Sequence, residues 1–268
     1  MTPERAEAAR LWRRYADHAA VLFRSGPRPT MEFTDQWFVV ASGAQHVDMN
    51  QGALYGEATA EDAERLASRV LAAEVPCLLG CSDGVQERVA GTLRAAGFEQ
   101  LPNREAMFRR PGLPEVPEPS PFEVRRVRSR DDFAAMQSIF LEAHGYSPES
   151  IERIYGGRVT GDDGFSAWLA WDGGEPVSFT IVIEVGPSLS IWEVMTPPRH
   201  RRRGAARAVV AGALASVANS ATQQIEETLF WASPAGRPLY ERMGFVVADE
   251  VDAWTIGASP EDLAAVGA

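Results

Sequence analysis

From residue 122 onward the apolar positions switch repeatedly between a two-residue and a helical period. Phe122–Val127 predicts a strand. Arg130–His144 carries Phe133, Met136, Ile139 and Phe140 at helical spacing. A second short helix is expected over Ser147–Tyr155, with Ser147 as N-cap and Pro148 in its first turn. Phe165–Trp171 and Val177–Val185 read as strands joined by Asp172-Gly173-Gly174-Glu175, a hairpin sequence. Leu189–Met195 is the next strand, after the turn at Gly186-Pro187. A helix over 205–218, strand Glu227–Ala232, a short helix Arg237–Met243 and strands Phe245–Val247 and Asp252–Ile256 follow. The order is β-α-α-β-β-β-α-β-α-β-β.

The first half is less regular. It predicts a helix over Pro3–Phe23, strands over Gln36–Ser42 and Val47–Leu54, and a helix over Ala60–Ala73 with Thr59 as N-cap. Strand Pro76–Cys81, helix Asp83–Ala96 and strand Ala106–Arg109 complete it. Between the halves, Pro111–Pro121 holds five prolines, an extended and semi-rigid composition. The expected organisation is therefore 1–110, a linker 111–121, and 122–268. The late part of the first half echoes the second. Strand Val75–Ser82, then a helix ending Leu93-Arg94-Ala95-Ala96-Gly97-Phe98, follows the plan of Glu227–Ser233, then a helix ending Leu239–Phe245. In each a buried strand leads to a helix stopped by Gly-Phe, which suggests an internal duplication.

Composition narrows the function classes. No run of 18 apolar residues is present, and Met1–Arg14 lacks the apolar core of a signal peptide, so a cytoplasmic protein without a membrane span is expected. The net charge of -11 argues against a generic nucleic-acid binder. All 26 basic residues are arginine, a bias typical of high-GC bacterial genomes, so lysine-based covalent catalysis is excluded. Cys77 and Cys81 lie in one apolar segment, read as reduced and structural, and no metal site is expected.

One stretch runs against the acidic balance. Val194–Arg207 joins the end of an apolar strand to the start of an alanine-rich helix and holds five arginines and Gly204. A turn of this kind aims free backbone N–H groups and the positive end of a helix dipole at one point, an anion site. Glycine at 204 lets a phosphate approach the backbone.

With the element order, two motifs identify the second half as resembling the GNAT superfamily of acyl-CoA-dependent N-acyltransferases. One is Arg201-Arg202-Arg203-Gly204-Ala205-Ala206 after the fourth strand, the other Leu239-Tyr240-Glu241-Arg242-Met243-Gly244-Phe245 near the end. The resemblance covers roughly 122–257 and, in outline, the first half, so it implies an α/β fold of tandem GNAT-like domains, each with a mixed, mostly antiparallel sheet flanked by helices. It implies acetyl-CoA as co-substrate, with pyrophosphate held by the backbone of Arg201, Arg202, Arg203, Gly204, Ala205, Ala206 and Arg207. Val194, Met195 and Thr196 would pair with the pantetheine arm. The sequence departs from the family at Arg202, where glycine is usual, and at Ser233, where the family often has an Asn that contacts CoA. By resemblance Tyr240 is the general acid that protonates the leaving thiolate. Glu193, inside an apolar strand, is the expected base, with Glu184 as rival; His144 could also approach the acceptor. Tyr146 and Trp192 are expected to wall the acceptor pocket, while Phe140, Tyr155, Trp168, Trp171 and Trp231 are not sorted between core and pocket.

The first half lacks this equipment. Leu93 stands at the place of Tyr240 and Ser82 at that of Ser233, and the helix after Thr59 is preceded by Gly56-Glu57-Ala58 rather than by arginines. Acidic groups there disfavour phosphate. The implied protein is an N-acetyltransferase acting on a small-molecule amine, with one active and one degenerate domain, as monomer or homodimer. The alternative is a non-catalytic acyl-CoA-binding sensor.

Overall fold

The computed structural model describes residues 3–112, 120–144, 146–158, 164–221 and 223–259; most of the proline-rich segment lies outside them. In chain order the elements are α1 (Pro3–Phe23), β1 (Thr30–Phe33), β2 (Trp37–Ala41), β3 (Asn50–Leu54), α2 (Ala60–Ala73), β4 (Cys77–Cys81), α3 (Gln86–Ala95), β5 (Glu99–Gln100) and β6 (Glu105–Pro111). Then come β7 (Glu123–Arg126), α4 (Arg130–His144), α5 (Pro148–Ile151), a π-helical turn Glu152–Gly156, β8 (Phe165–Asp172), β9 (Glu175–Val185) and β10 (Ser188–Met195). A 3-10 turn Pro198–His200, α6 (Ala205–Ser220), β11 (Glu227–Ala232), α7 (Arg237–Arg242) and β12 (Val246–Ile256) close the list. The two strands expected at 245–247 and 252–256 are thus one. The exposed β1 carried no buried face for a pattern to reveal.

The chain forms two compact units that exchange segments. Residues 1–108, 231–238 and 247–268 make one; 109–230 and 239–246 make the other. The expected boundary near 110 is one of several crossings, because the last strand returns to the first unit.

In the first unit the strand order is β1-β2-β3-β4-β12. Only β3 and β4 run parallel; β1/β2, β2/β3 and β4/β12 are antiparallel. Strand β4 is buried throughout. Its Cys77, Leu79 and Cys81 pack with Leu66 and Val70 of α2 and Val89 and Leu93 of α3, while Leu78 meets Val47 and Ala253 on the opposite face. Both cysteines are free thiols, and burial pushes that of Cys77 up to about 12, so it stays protonated and inert. Helix α1 is anchored by Trp12, whose indole N–H donates to Asp249 at 2.7 Å. Gly80 makes room for it: a Cβ there would stand 3.0 Å from the Trp12 ring.

In the second unit the order is β11-β10-β9-β8-β7, antiparallel except for β10/β11. Helix α4 packs on one face, where Phe140 meets Phe179 with ring centroids 4.5 Å apart. Helix α6 covers the face that carries Val124, and Gly212 allows the approach, since a Cβ would lie 2.8 Å from that side chain.

The repeated Gly-Phe helix ends adopt one geometry. Gly97 and Gly244 both have left-handed backbones, with φ of 92° and 79°. Phe98 N–H donates to Leu93 O at 3.0 Å, and Phe245 N–H donates to Tyr240 O at 3.1 Å. These six-residue closures satisfy a terminal carbonyl and turn the phenylalanine inward. They align Leu93 with Tyr240.

Candidate functional site

The fourth strand of the second unit is irregular at the residue of interest. Trp192 pairs with Ile181, but Met195 pairs with Phe179, so β10 spends three steps where β9 spends two. The extra residue is a β-bulge, and within it Glu193 takes a left-handed φ of 52°. Regular alternation would aim Glu193 with Thr180 toward the α6 face. The bulge re-aims it: Tyr155 Oη donates to Glu193 Oε1 at 3.2 Å, and Tyr155 stacks on Phe140 and Phe165. Phe165 pairs with Ile183, which shares its face with Phe179, so the Glu193 carboxylate is drawn toward the α4 side. Beyond Ser190, no described residue of β10 is paired to β11, so the bulged segment offers a strand edge to an amide-bearing ligand.

Behind that edge Ser178 Oγ donates to Met195 O at 2.8 Å and lies 2.9 Å from Thr196 Oγ1. The chain then turns through Pro198–His200, and Arg201 Nε donates to Thr196 O at 3.1 Å. Arg202 is left-handed at φ 61° and Gly204 at φ 90°. Helix α6 starts directly after Gly204. Its first internal bond is Ala208 N–H to Gly204 O at 3.0 Å, so the amides of Ala205, Ala206 and Arg207 are left over by helix geometry.

The arginines divide into two sets. Arg203 Nη2 donates to Asp172 at 2.5 Å and its Nη1 lies 3.2 Å from His200 Nδ1. Buried His200 has its other nitrogen 3.1 Å from Glu175, and Arg199 pairs with Glu142 and Glu175. The β8–β9 hairpin therefore holds the turn through Asp172 and Glu175. Among the described residues Arg202 and Arg207 have neither an ion-pair nor a hydrogen-bond partner. In the chain these two residues stand on either side of Ala205 and Ala206.

Tyr240 lies within α7, 4.3 Å from Phe230 and 6.3 Å from Phe245 between ring centroids. Burial pushes its phenol pKa up, so the oxygen keeps its proton at neutral pH. Ser233 falls within the first unit. Tyr146 and Trp192, the expected pocket walls, are only 2% and 6% exposed. Tyr146 packs edge-on against Phe140, and the Trp192 indole donates to Ser190 at 2.6 Å. Glu184 lies at the far end of β9, paired across to Leu189, and the His144 side chain lies outside the described residues. Tyr155 is one of the aromatics that the sequence left unsorted between core and pocket. No spacing in the sequence ties it to Glu193, because the bulge that joins them has no sequence signature.

The corresponding helix start in the first unit is closed from within. The Asp62 carboxylate accepts from Thr59 N–H at 2.9 Å, and the Thr59 hydroxyl accepts from Asp62 N–H, a complete capping box. Arg88 donates to the carbonyls of Ala58 and Gly56, both at 3.0 Å.

The fold has counterparts among known proteins. A domain family described as "Acetyltransferase (GNAT) domain" matches residues 163–247. No curated protein matches the sequence. Among solved structures, a GCN5-related N-acetyltransferase from Kribbella flavida is similar in fold, with TM-score 0.63, 13% identity, and 92% of this chain and 95% of that one covered. Another from Sphaerobacter thermophilus has TM-score 0.58 at 15% identity, covering 84% and 80%. A tandem GNAT protein from the clavulanic acid biosynthesis pathway has TM-score 0.54 at 12% identity, covering 94% and 96%.

Proposed function

Because residues 163–247 match the GNAT acetyltransferase domain family, we propose that the protein transfers the acetyl group of acetyl-CoA to the amine of a small molecule by direct attack in a ternary complex. The observation that carries this reading is the succession of bulged strand, left-handed turn and open helix start from Glu193 to Arg207. The unused amides of Ala205–Arg207 and the unpaired Arg202 and Arg207 supply donors and positive charge for the pyrophosphate. The edge at Val194–Thr196, beyond the pairing of β10 with β11, suits the pantetheine amides.

In the reaction the amine must be neutral when it attacks the thioester carbonyl. Its proton passes to Glu193, directly or through water, while the C–N bond forms and the C–S bond breaks. Tyr240 Oη gives its proton to the departing sulfur and is reprotonated from solvent. The high proton affinity that burial gives this phenol keeps the proton in place until the sulfur takes it.

The capped start of α2 leaves no comparable anion site, and we read the first unit as one that does not bind acyl-CoA. Calorimetric titration with acetyl-CoA tests both claims. One equivalent per chain is expected; no binding refutes the transferase, and two equivalents refute the reading of the first unit. Tight binding with no turnover across a broad amine panel would instead favour a non-catalytic sensor.

A further inference from the structure

The tie between Tyr155 and Glu193 has the form of a positioning device, and its meaning rests on the reading of Glu193 as the base. A residue other than glycine at φ 52° is strained, and such a backbone persists only where its surroundings hold it. A carboxylate on a bulge, with three side-chain torsions of its own, needs a fixed partner if it is to face a substrate in one orientation. Tyr155 is that kind of partner. It is fully buried, its ring lies 5.4 Å from Phe140 and 6.3 Å from Phe165 in stacked arrangements, and it sits in a π-helical turn. Turns of this type displace a side chain from the ordinary helical register and recur at functional sites. Here the turn and the bulge are two irregularities on different elements, and their side chains meet.

We propose that Tyr155 is a positioning residue: its hydroxyl orients the Glu193 carboxylate toward the acceptor and favours the ionised form that accepts the amine proton. The other charged side chains on the neighbouring elements are largely committed elsewhere. Glu152 pairs with Arg130, Arg153 with Glu149, Asp132 caps α4 through Ser129, and Glu142 binds Arg199. Asp131 on α4 and Glu184 on β9 are the other carboxylates, and buried Arg158, after the π-helical turn, holds its guanidinium 4.4 Å over the Phe165 ring in the same cluster as Tyr155.

The test uses full-length protein with [5-13C]glutamate. The Glu193 carboxyl resonance is assigned as the one lost in Glu193→Gln, and its titration is followed in wild type and Tyr155→Phe. Removing a donor to the charged form raises the midpoint, by roughly half to one unit. Phenylalanine preserves the aromatic stack, so folding is retained; an unchanged near-UV circular dichroism spectrum verifies it. Turnover of acetyl-CoA with the best amine of a panel provides the second readout. Tyr155→Phe is expected to lower kcat roughly threefold to tenfold, to move the acid limb of the pH profile up with the midpoint, and to have no further effect in a Glu193→Gln background. An unmoved midpoint with an unchanged pH profile overturns the proposal while leaving Glu193 as base. A moved midpoint with full turnover in Glu193→Gln overturns the base, and with it the catalytic meaning of the contact.

Discussion

Replacing Gly204 by alanine isolates what the left-handed turn contributes to binding. Gly204 has φ 90° and ψ 1°, and a Cβ built there finds nothing closer than Phe122 Cε2 at 4.0 Å. Collision is therefore absent, and the whole perturbation is the backbone cost of holding an L-residue in the left-handed region, roughly 1–2 kcal/mol. Residues Arg201–Gly204 are exposed, so the free turn can relax to a right-handed or extended form and escape the strain. Binding must then restore the original shape, and the cost appears in affinity. At that magnitude the dissociation constant for acetyl-CoA rises about 5- to 30-fold. Isothermal titration calorimetry measures it directly. Gly186→Ala is the control, because its φ of 55° and open surroundings carry similar strain in the β9–β10 turn. That variant should lose stability and keep its affinity. A Gly204→Ala protein that binds within twofold of wild type refutes the argument that the turn's shape is what the amides depend on.

Three further outcomes follow from particular contacts. Tyr240→Phe should leave acetyl-CoA affinity unchanged and slow turnover about 100-fold; turnover within a few-fold of wild type would remove Tyr240 from the acid role. Burial, reinforced by Asp48, raises the Glu105 carboxyl to about 8 from an ordinary 4.5. The native state then keeps a proton that the unfolded chain releases, so stability falls as pH rises from about 4.5 and levels off above about 8. Glu105→Gln should flatten that fall, by an amount on the order of a few kcal/mol at pH 8, in urea unfolding across this range; parallel pH curves for the two proteins would contradict it. Glu74 ends α2 with φ 53° and is exposed, so Glu74→Gly should gain about 1 kcal/mol and raise Tm by roughly 2–4 °C in a thermal melt, and a loss would contradict the strain argument.

Much of this architecture was legible in the residue pattern, for identifiable reasons. Thr59, Ser147 and the Gly-Phe pairs at 97–98 and 244–245 act through their nearest neighbours, so spacing alone exposes them. The anion turn was visible because arginines, glycine and a helix start are contiguous. What escaped depends on contacts between distant residues. The fate of each arginine was decided by Asp172, Glu175 and Glu142, and the sequence does not say which carboxylate meets which guanidinium. The bulge at Glu193 arises from a one-residue mismatch between β9 and β10, a property of register between strands and of neither strand alone. The return of β12 to the first unit was hidden for the same reason, since a strand does not declare its partner.

That returning strand orders events during synthesis. The first unit needs Asp252–Ile256 to cover the edge of β4, and these residues leave the ribosome only after the segments of the second unit. Until then the edge of an entirely buried strand, Cys77-Leu78-Leu79-Gly80-Cys81, stays unpaired in the nascent chain. The first hundred residues therefore cannot mature as an independent module, and a fragment cut at the proline-rich segment would present a sticky edge to its neighbours. Sequence order and folding order part company: the unit begun first is completed only after the second has been made.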